Sequence, residues 1–148
     1  MRLVCLVLLA ACAASPPVRR FAAMDTAAVT KVIEDQAAAW NRGDLAGYMD
    51  GYAKTDALVF TSGGKVRTGW QEAFQHYQKR YATDPGAMGH LVFGITRVDA
   101  VGADAAVVLG TWKLTESEHP GEGVFTLVFE RRPEGWRIVH DHTSSLAP

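Results

Sequence analysis

Cysteine is nearly missing from this sequence: among 148 residues only Cys5 and Cys12 carry a thiol, and both fall within the first dozen positions. From residue 13 onward no disulfide, thiolate nucleophile or cysteine-held metal is available. An excess of one charge is lacking too. Lysine and arginine number 15 against 16 aspartates and glutamates, for a formal net charge of −1. No basic run forms the stripe that binding to a phosphate backbone requires, so nucleic acid is not an expected partner. Nor does any apolar stretch reach the ~20 residues needed to cross a hydrocarbon core. Repeats and low-complexity tracts are absent, which argues against a solenoid and against disorder of the body. What is present is 48% apolar and 21% charged, a balance that suits one globular domain and leaves no room for a second.

The first residues form a leader. Met1 and Arg2 give a minimal positive start, Leu3 to Ala11 is wholly apolar, and Leu9-Ala10-Ala11-Cys12 places small residues before a cysteine. That tetrapeptide resembles a bacterial lipobox, which implies cleavage before Cys12, acylation of its thiol and a lipid-anchored protein on the periplasmic face of the cell envelope. Two alternatives stay open. One is a plain secretory signal cut near Ala13 or Ala14, and the other is a cytoplasmic protein starting at Met24. The expected organisation is a signal segment over 1–12, a tether over 13–24 containing Ser15-Pro16-Pro17, and one folded domain over 25–146.

The domain begins with a helical pattern. From Asp25, read as an N-cap, Val29, Val32, Ile33, Gln36, Ala37 and Trp40 recur at helical spacing, and Gly43 ends the run. Asp44 caps a shorter helix whose Leu45, Tyr48, Met49 and Tyr52 share a face, so that Trp40, Tyr48 and Tyr52 can meet around one space. Residues 56–62 read as extended, with Asp56 as a turn residue and Gly63-Gly64 as the break. Trp70, Ala73, Phe74, Tyr77 and Tyr81 mark a third helix, stopped by Asp84-Pro85-Gly86. Strands are predicted over 90–101, 104–115, 123–132 and 136–145. Three helices followed by antiparallel strands predict an α+β domain in which a single curved sheet covers its apolar face with the helices.

Trp40-Asn41-Arg42-Gly43-Asp44 with Tyr48 and Tyr52-Ala53-Lys54-Thr55-Asp56-Ala57, then Gly69 and Phe74, resembles the opening of the nuclear-transport-factor-2-like (NTF2-like) superfamily. Residues 123–132, followed by Gly135-Trp136-Arg137-Ile138-Val139-His140-Asp141-His142-Thr143-Ser144, resemble its SnoaL-like and DUF4440-type branch, and are similar to the calcium/calmodulin-dependent kinase association domain. The resemblance spans about residues 25–146 and implies a cone around an internal pocket, often in a homodimer. It does not imply one activity, because the superfamily hosts isomerases, cyclases, dehydratases and association modules. Steroid-isomerase relatives use a carboxylate and an oxyanion-hole tyrosine at places held here near Thr61 and Gln36, neither of which does that work. Kinase association domains line the pocket with arginines where this chain has Leu127 and Thr143.

Site residues must then be read from the strands. In the last strand Trp136, Ile138, His140, His142 and Ser144 alternate onto one face, which Trp136 and Ile138 mark as inward. With a turn in 132–135, Leu127 and Phe129 stand beside His140 and Ile138. A bulge would swap the faces and bring Asp141 inward. Without one, Gln36, Trp40, Tyr48, Tyr52, Phe60, Trp112, Leu127, Phe129, His140 and His142 line a pocket for a small, mostly hydrophobic molecule. His140 and His142 are candidate acid and base, or buried structural histidines. A zinc site would need a third ligand that His76, His90 and His119 are not placed to supply, so neither metal nor cofactor is expected. Gln36 either lines the pocket or bonds helix to strand, and Glu130, Arg131 and Arg132 read as a solvated strand end. Three functions remain: a small-molecule-binding module, an enzyme performing proton transfer, cyclisation or hydration on a small carbonyl compound, and a purely associating domain.

Overall fold

The computed structural model describes residues 19–81 and 88–146. The expected signal segment with Cys12, the first half of the expected tether and the stop at Asp84-Pro85-Gly86 lie outside the described residues. The chain forms α1 (Ala23–Asn41), α2 (Leu45–Met49), β1 (Val59–Ser62), β2 (Lys65–Thr68), α3 (Trp70–Tyr81), β3 (His90–Ala100), β4 (Ala105–Thr115), β5 (Gly121–Arg132) and β6 (Gly135–Ser145). One six-stranded sheet has the order β2-β1-β6-β5-β4-β3. This is the expected α+β architecture, with two corrections to its topology. The β1–β2 hairpin stands between α2 and α3, so the helices do not all come first, and β1 runs parallel to β6. Gly63 and Gly64 form the two-residue hairpin loop with φ of 57° and 72°. Two successive left-handed residues match the twist of the flanking strands at little cost only for glycine.

Helix α1 starts two residues before the expected cap. Asp25 is not its N-cap; it sits in the first turn and accepts a hydrogen bond from the Ala22 N–H at 3.0 Å. The same carboxylate pairs with Arg19 and Arg131. Arg131 is accordingly not a solvated strand end, since it joins β5 to α1 with its guanidinium 4.6 Å over the Trp136 ring. At the far end of α1, Gly43 at φ 78° ends the helix and Asp44 caps α2 by accepting from the Gly47 N–H at 2.7 Å.

The Trp40-Asn41 pair ties this corner to the sheet. Trp40 Nε1 donates to the Met88 carbonyl at 2.8 Å, and the Asn41 amide both donates to the Leu91 carbonyl and accepts its N–H. Buried Val29, Ile33, Trp40, Met49 and Tyr52 then pack against Val108, Phe125, Leu127, Phe129 and Ile138 of the sheet. Edge-on ring pairs of Trp40 with Tyr48 and Tyr81, centroids 5.0 and 4.8 Å apart, add about 0.5–1.5 kcal/mol each beyond area burial.

Candidate functional site

A cavity of about 470 Å³ opens between the concave face of the sheet and the three helices. Its wall includes Gln36 and Trp40 from α1, Tyr48 from α2, Tyr52, Phe60 from β1, Trp112 from β4, and Leu127 from β5. These seven are residues that the sequence assigned to the pocket. Three others are not in its wall. Phe129 is fully buried behind it, while His140 and His142 lie on the other face of the sheet.

The histidines are displaced by a bulge. Val128 pairs with His140 but Phe129 pairs with Ile138, so Val139 is an extra residue in β6. Trp136 and Ile138 therefore face inward as expected, while beyond the bulge the inward residues are Asp141, Thr143 and Ser145. Leu127 stands opposite Asp141, not His140. Arg137, before the bulge, points away from the cavity and donates to the Trp136 carbonyl. Among the described residues no three His, Cys, Asp or Glu side chains gather in a metal-ligand cluster.

Asp141 is the cavity's acidic group. It is 4% exposed, yet one oxygen accepts from the Tyr52 hydroxyl at 2.7 Å and the other from the Thr143 hydroxyl at 2.8 Å. Burial pushes its pKa above the ordinary carboxylate value; the Tyr52 and Thr143 hydrogen bonds, with His140 and His142 on either side, pull it back only in part. The chain of hydroxyls continues from Tyr52 to Tyr48 at 3.3 Å and from Tyr48 to Tyr77 at 3.4 Å. Each phenol has one proton. With Asp141 ionised, Tyr52 spends its proton there, so Tyr48 donates to Tyr52 and Tyr77 donates to Tyr48. Burial, then the field of Asp141, pushes the pKa of Tyr48 and Tyr52 upward, and burial does the same at Tyr77, so all three stay protonated.

Gln36 lines the cavity and is also bonded, its Nε2 donating to the Tyr48 carbonyl at 3.0 Å. Its partner is thus α2 and not a strand. Trp70 Nε1 similarly holds the end of α2 through the Met49 carbonyl at 3.0 Å. These bonds fix α2, and with it Tyr48 and the turn carrying Tyr52, against α1 and α3. Sequence reasoning left Tyr77, Tyr81 and Thr143 out of the pocket, although the aromatic stripe of α3 was visible. It also missed Lys65, Arg67, His76 and Arg80, which line the cavity with Lys65 and Arg80 exposed to solvent and Arg67 and His76 half-buried. Such polar residues on a short hairpin and an amphipathic helix are indistinguishable from solvated ones until the two elements meet.

Comparison with known proteins agrees with the geometry. The SnoaL-like domain family matches residues 29–148. An NTF2-like protein of unknown function from Shewanella oneidensis superposes with TM-score 0.77 at 39% identity, covering 80% of this chain and 98% of that one. A ketosteroid isomerase-like protein from Erwinia carotovora gives 0.67 at 20% identity, covering 85% and 99%. A provisionally assigned calcium/calmodulin-dependent protein kinase II association domain from Xanthomonas campestris gives 0.60 at 22%, covering 80% and 85%. No curated protein matches. A cone of helices over a curved, unclosed sheet, with a pocket between them and a family match over most of its length, makes this chain a member of the SnoaL-like family within the NTF2-like superfamily.

Proposed function

We propose that the domain binds a small, mostly hydrophobic carbonyl compound in its cavity and moves a proton on it with Asp141. The observation that carries this reading is a buried carboxyl in the cavity wall, held by two hydroxyls and with its pKa raised by burial. A carboxyl with its pKa raised in this way, in the wall of a cavity, is suited to take a proton from carbon beside a carbonyl and return it as an acid. The aromatic wall supplies binding area, and Tyr52 fixes the carboxyl's orientation.

The test is α-proton exchange of 2-tetralone in deuterated water, followed by NMR. Wild type should accelerate exchange, with a rate that rises with pH through a midpoint above the ordinary carboxylate range. Asp141→Asn keeps the shape and an acceptor for Tyr52, and should lose about 10²–10⁴-fold in rate while tetralone affinity holds. If the variant exchanges as fast as wild type, Asp141 is not the base; if wild type itself gives no acceleration, the pocket only binds. For the assembled protein we propose export with a lipid on Cys12, and a homodimer through the outer face of the sheet, where Val92, Leu109 and Val124 are 52%, 38% and 48% exposed. Sedimentation of the folded domain checks the second of these.

A further inference from the structure

The more exposed part of the cavity wall differs in character from its interior. Lys65 and Arg67 from β2, with His76 and Arg80 from α3, line it there. Lys65 and Arg80 are exposed and Arg67 and His76 half-buried, whereas Asp141 lies deep. Most other cations of the molecule are paired: Arg19, Lys31, Arg42, Lys54, Arg97, Lys113, Arg131 and Arg132 each meet a carboxylate. Lys65, Arg67 and Arg80 make no ion pair among the described residues, and Asp141 is the one carboxylate in the described cavity wall. In a protein of net charge −1, three cations without a carboxylate partner among the described residues thus share the more exposed part of the cavity wall.

We propose that the pocket takes an organic carboxylate: its anionic group sits among Lys65, Arg67 and Arg80 at the mouth, and its apolar remainder reaches inward toward Tyr52 and Asp141. The proposal deepens the functional reading above by naming a substrate class, and it rests on that cavity being the binding site. Low-dielectric walls lined by one sign of charge focus the field outward and draw anions in. Arginine offers the planar fork that fits a carboxylate, and lysine a point charge beside it. An anion held at the mouth also stays away from Asp141, whose own charge would repel it inside. His76 lies in the same field. Its pKa is held down by burial first, then by the charges of Arg67, Arg80, Lys65 and Lys79, with the Tyr77 ring packed beside it. An anion bound among those cations cancels part of that field.

The experiment compares 4-phenylbutyrate with the equally long, neutral 4-phenylbutan-1-ol, by quenching of the fluorescence of Trp40 and Trp112. In wild type the carboxylate should bind at least about tenfold tighter, since hydrogen bonds to charged groups carry that much. The preference should shrink with added salt. It should collapse in the K65Q/R67Q/R80Q variant, with affinity for the alcohol retained. Should that variant fold poorly, NMR titration of His76 in wild type decides: phenylbutyrate should move its pKa up, and the alcohol should not. Equal affinities, a preference that survives loss of the three charges, a His76 titration blind to the anion, or binding of neither compound at millimolar concentration overturns the proposal. Asp141→Asn should keep the carboxylate preference, so loss of proton exchange in that variant and loss of anion selectivity at the rim are separate results.

Discussion

Two buried aspartates carry opposite electrostatic consequences. At Asp141 burial outweighs two donated hydrogen bonds, and the folded carboxyl holds its proton more tightly than the ordinary value of 3.8 implies. Between 3.8 and the raised folded value the folded state binds more protons than the unfolded one, so stability falls as pH rises through that window. Asp141→Asn removes the penalised charge. Its melting temperature should exceed that of wild type at pH 7, and the gain should vanish as pH approaches 3.8. A melt at or below wild type would mean that the Tyr52 and Thr143 bonds outweigh desolvation. At Asp25 burial also pushes upward, but the Ala22 N–H and the Arg131 and Arg19 guanidinium groups win, and the net pKa is lowered. Its contribution is full above 3.8 and is lost as pH falls through the lowered folded value. Asp25→Asn should therefore melt lower than wild type at pH 7, with the difference closing in acid.

Among the elements, β6 decides the chemistry through one extra residue. Its sequence alternates without interruption from Trp136 to Ser144, and period-2 reading put His140 and His142 inward because nothing in β6 alone shows where a bulge falls. The bulge depends on the partner: β5 offers Val128 to His140 and Phe129 to Ile138, skipping Val139. Helices were legible for the opposite reason, since Trp40, Tyr48 and Tyr77 fall on stripes set by their own spacing. Seven of the ten residues expected around the pocket are there, and the three misplaced ones are on strands. Deleting Val139 restores plain alternation with Asp141 still inward, so that variant should retain tetralone exchange. Abolished exchange with an intact fold would show that the bulge also aims the carboxyl. The β5–β6 pairing itself tolerates little bulk at Gly123, where an added Cβ would lie 1.9 Å from the Ser144 carbonyl oxygen. Because that neighbour is backbone, Gly123→Ala should cost about 1–3 kcal/mol in denaturant unfolding. An unchanged midpoint would show that the two strands can part there without loss.

At the scale of the whole molecule, the fold reaches further toward the leader than the sequence suggested. Phe21 packs edge-on against Trp136 at 5.6 Å, Ala22 donates to Asp25, and Arg19 joins Asp25 and Asp104. The last residues of the expected tether are thus bound to α1, to the turn between β3 and β4, and to β6. Translation from Met24 would remove all of these contacts. A protein beginning at Met24 should unfold at lower denaturant than one beginning at Ala13, by about 1 kcal/mol or more for the aromatic pair alone. Equal stability of the two would make Met24 a sufficient start and weaken the case for export. The proposed lipid on Cys12 is tested separately in cells. With acylation at that thiol, radiolabelled palmitate should mark the protein expressed from the full sequence, which should sediment with membranes. Cys12→Ser should abolish the label and release the protein, because the apolar run before Cys12 is too short to hold a membrane by spanning it. Labelling and fractionation unchanged by the substitution would remove the anchor, and the stability comparison would then decide between a cleaved secretory signal and a start at Met24.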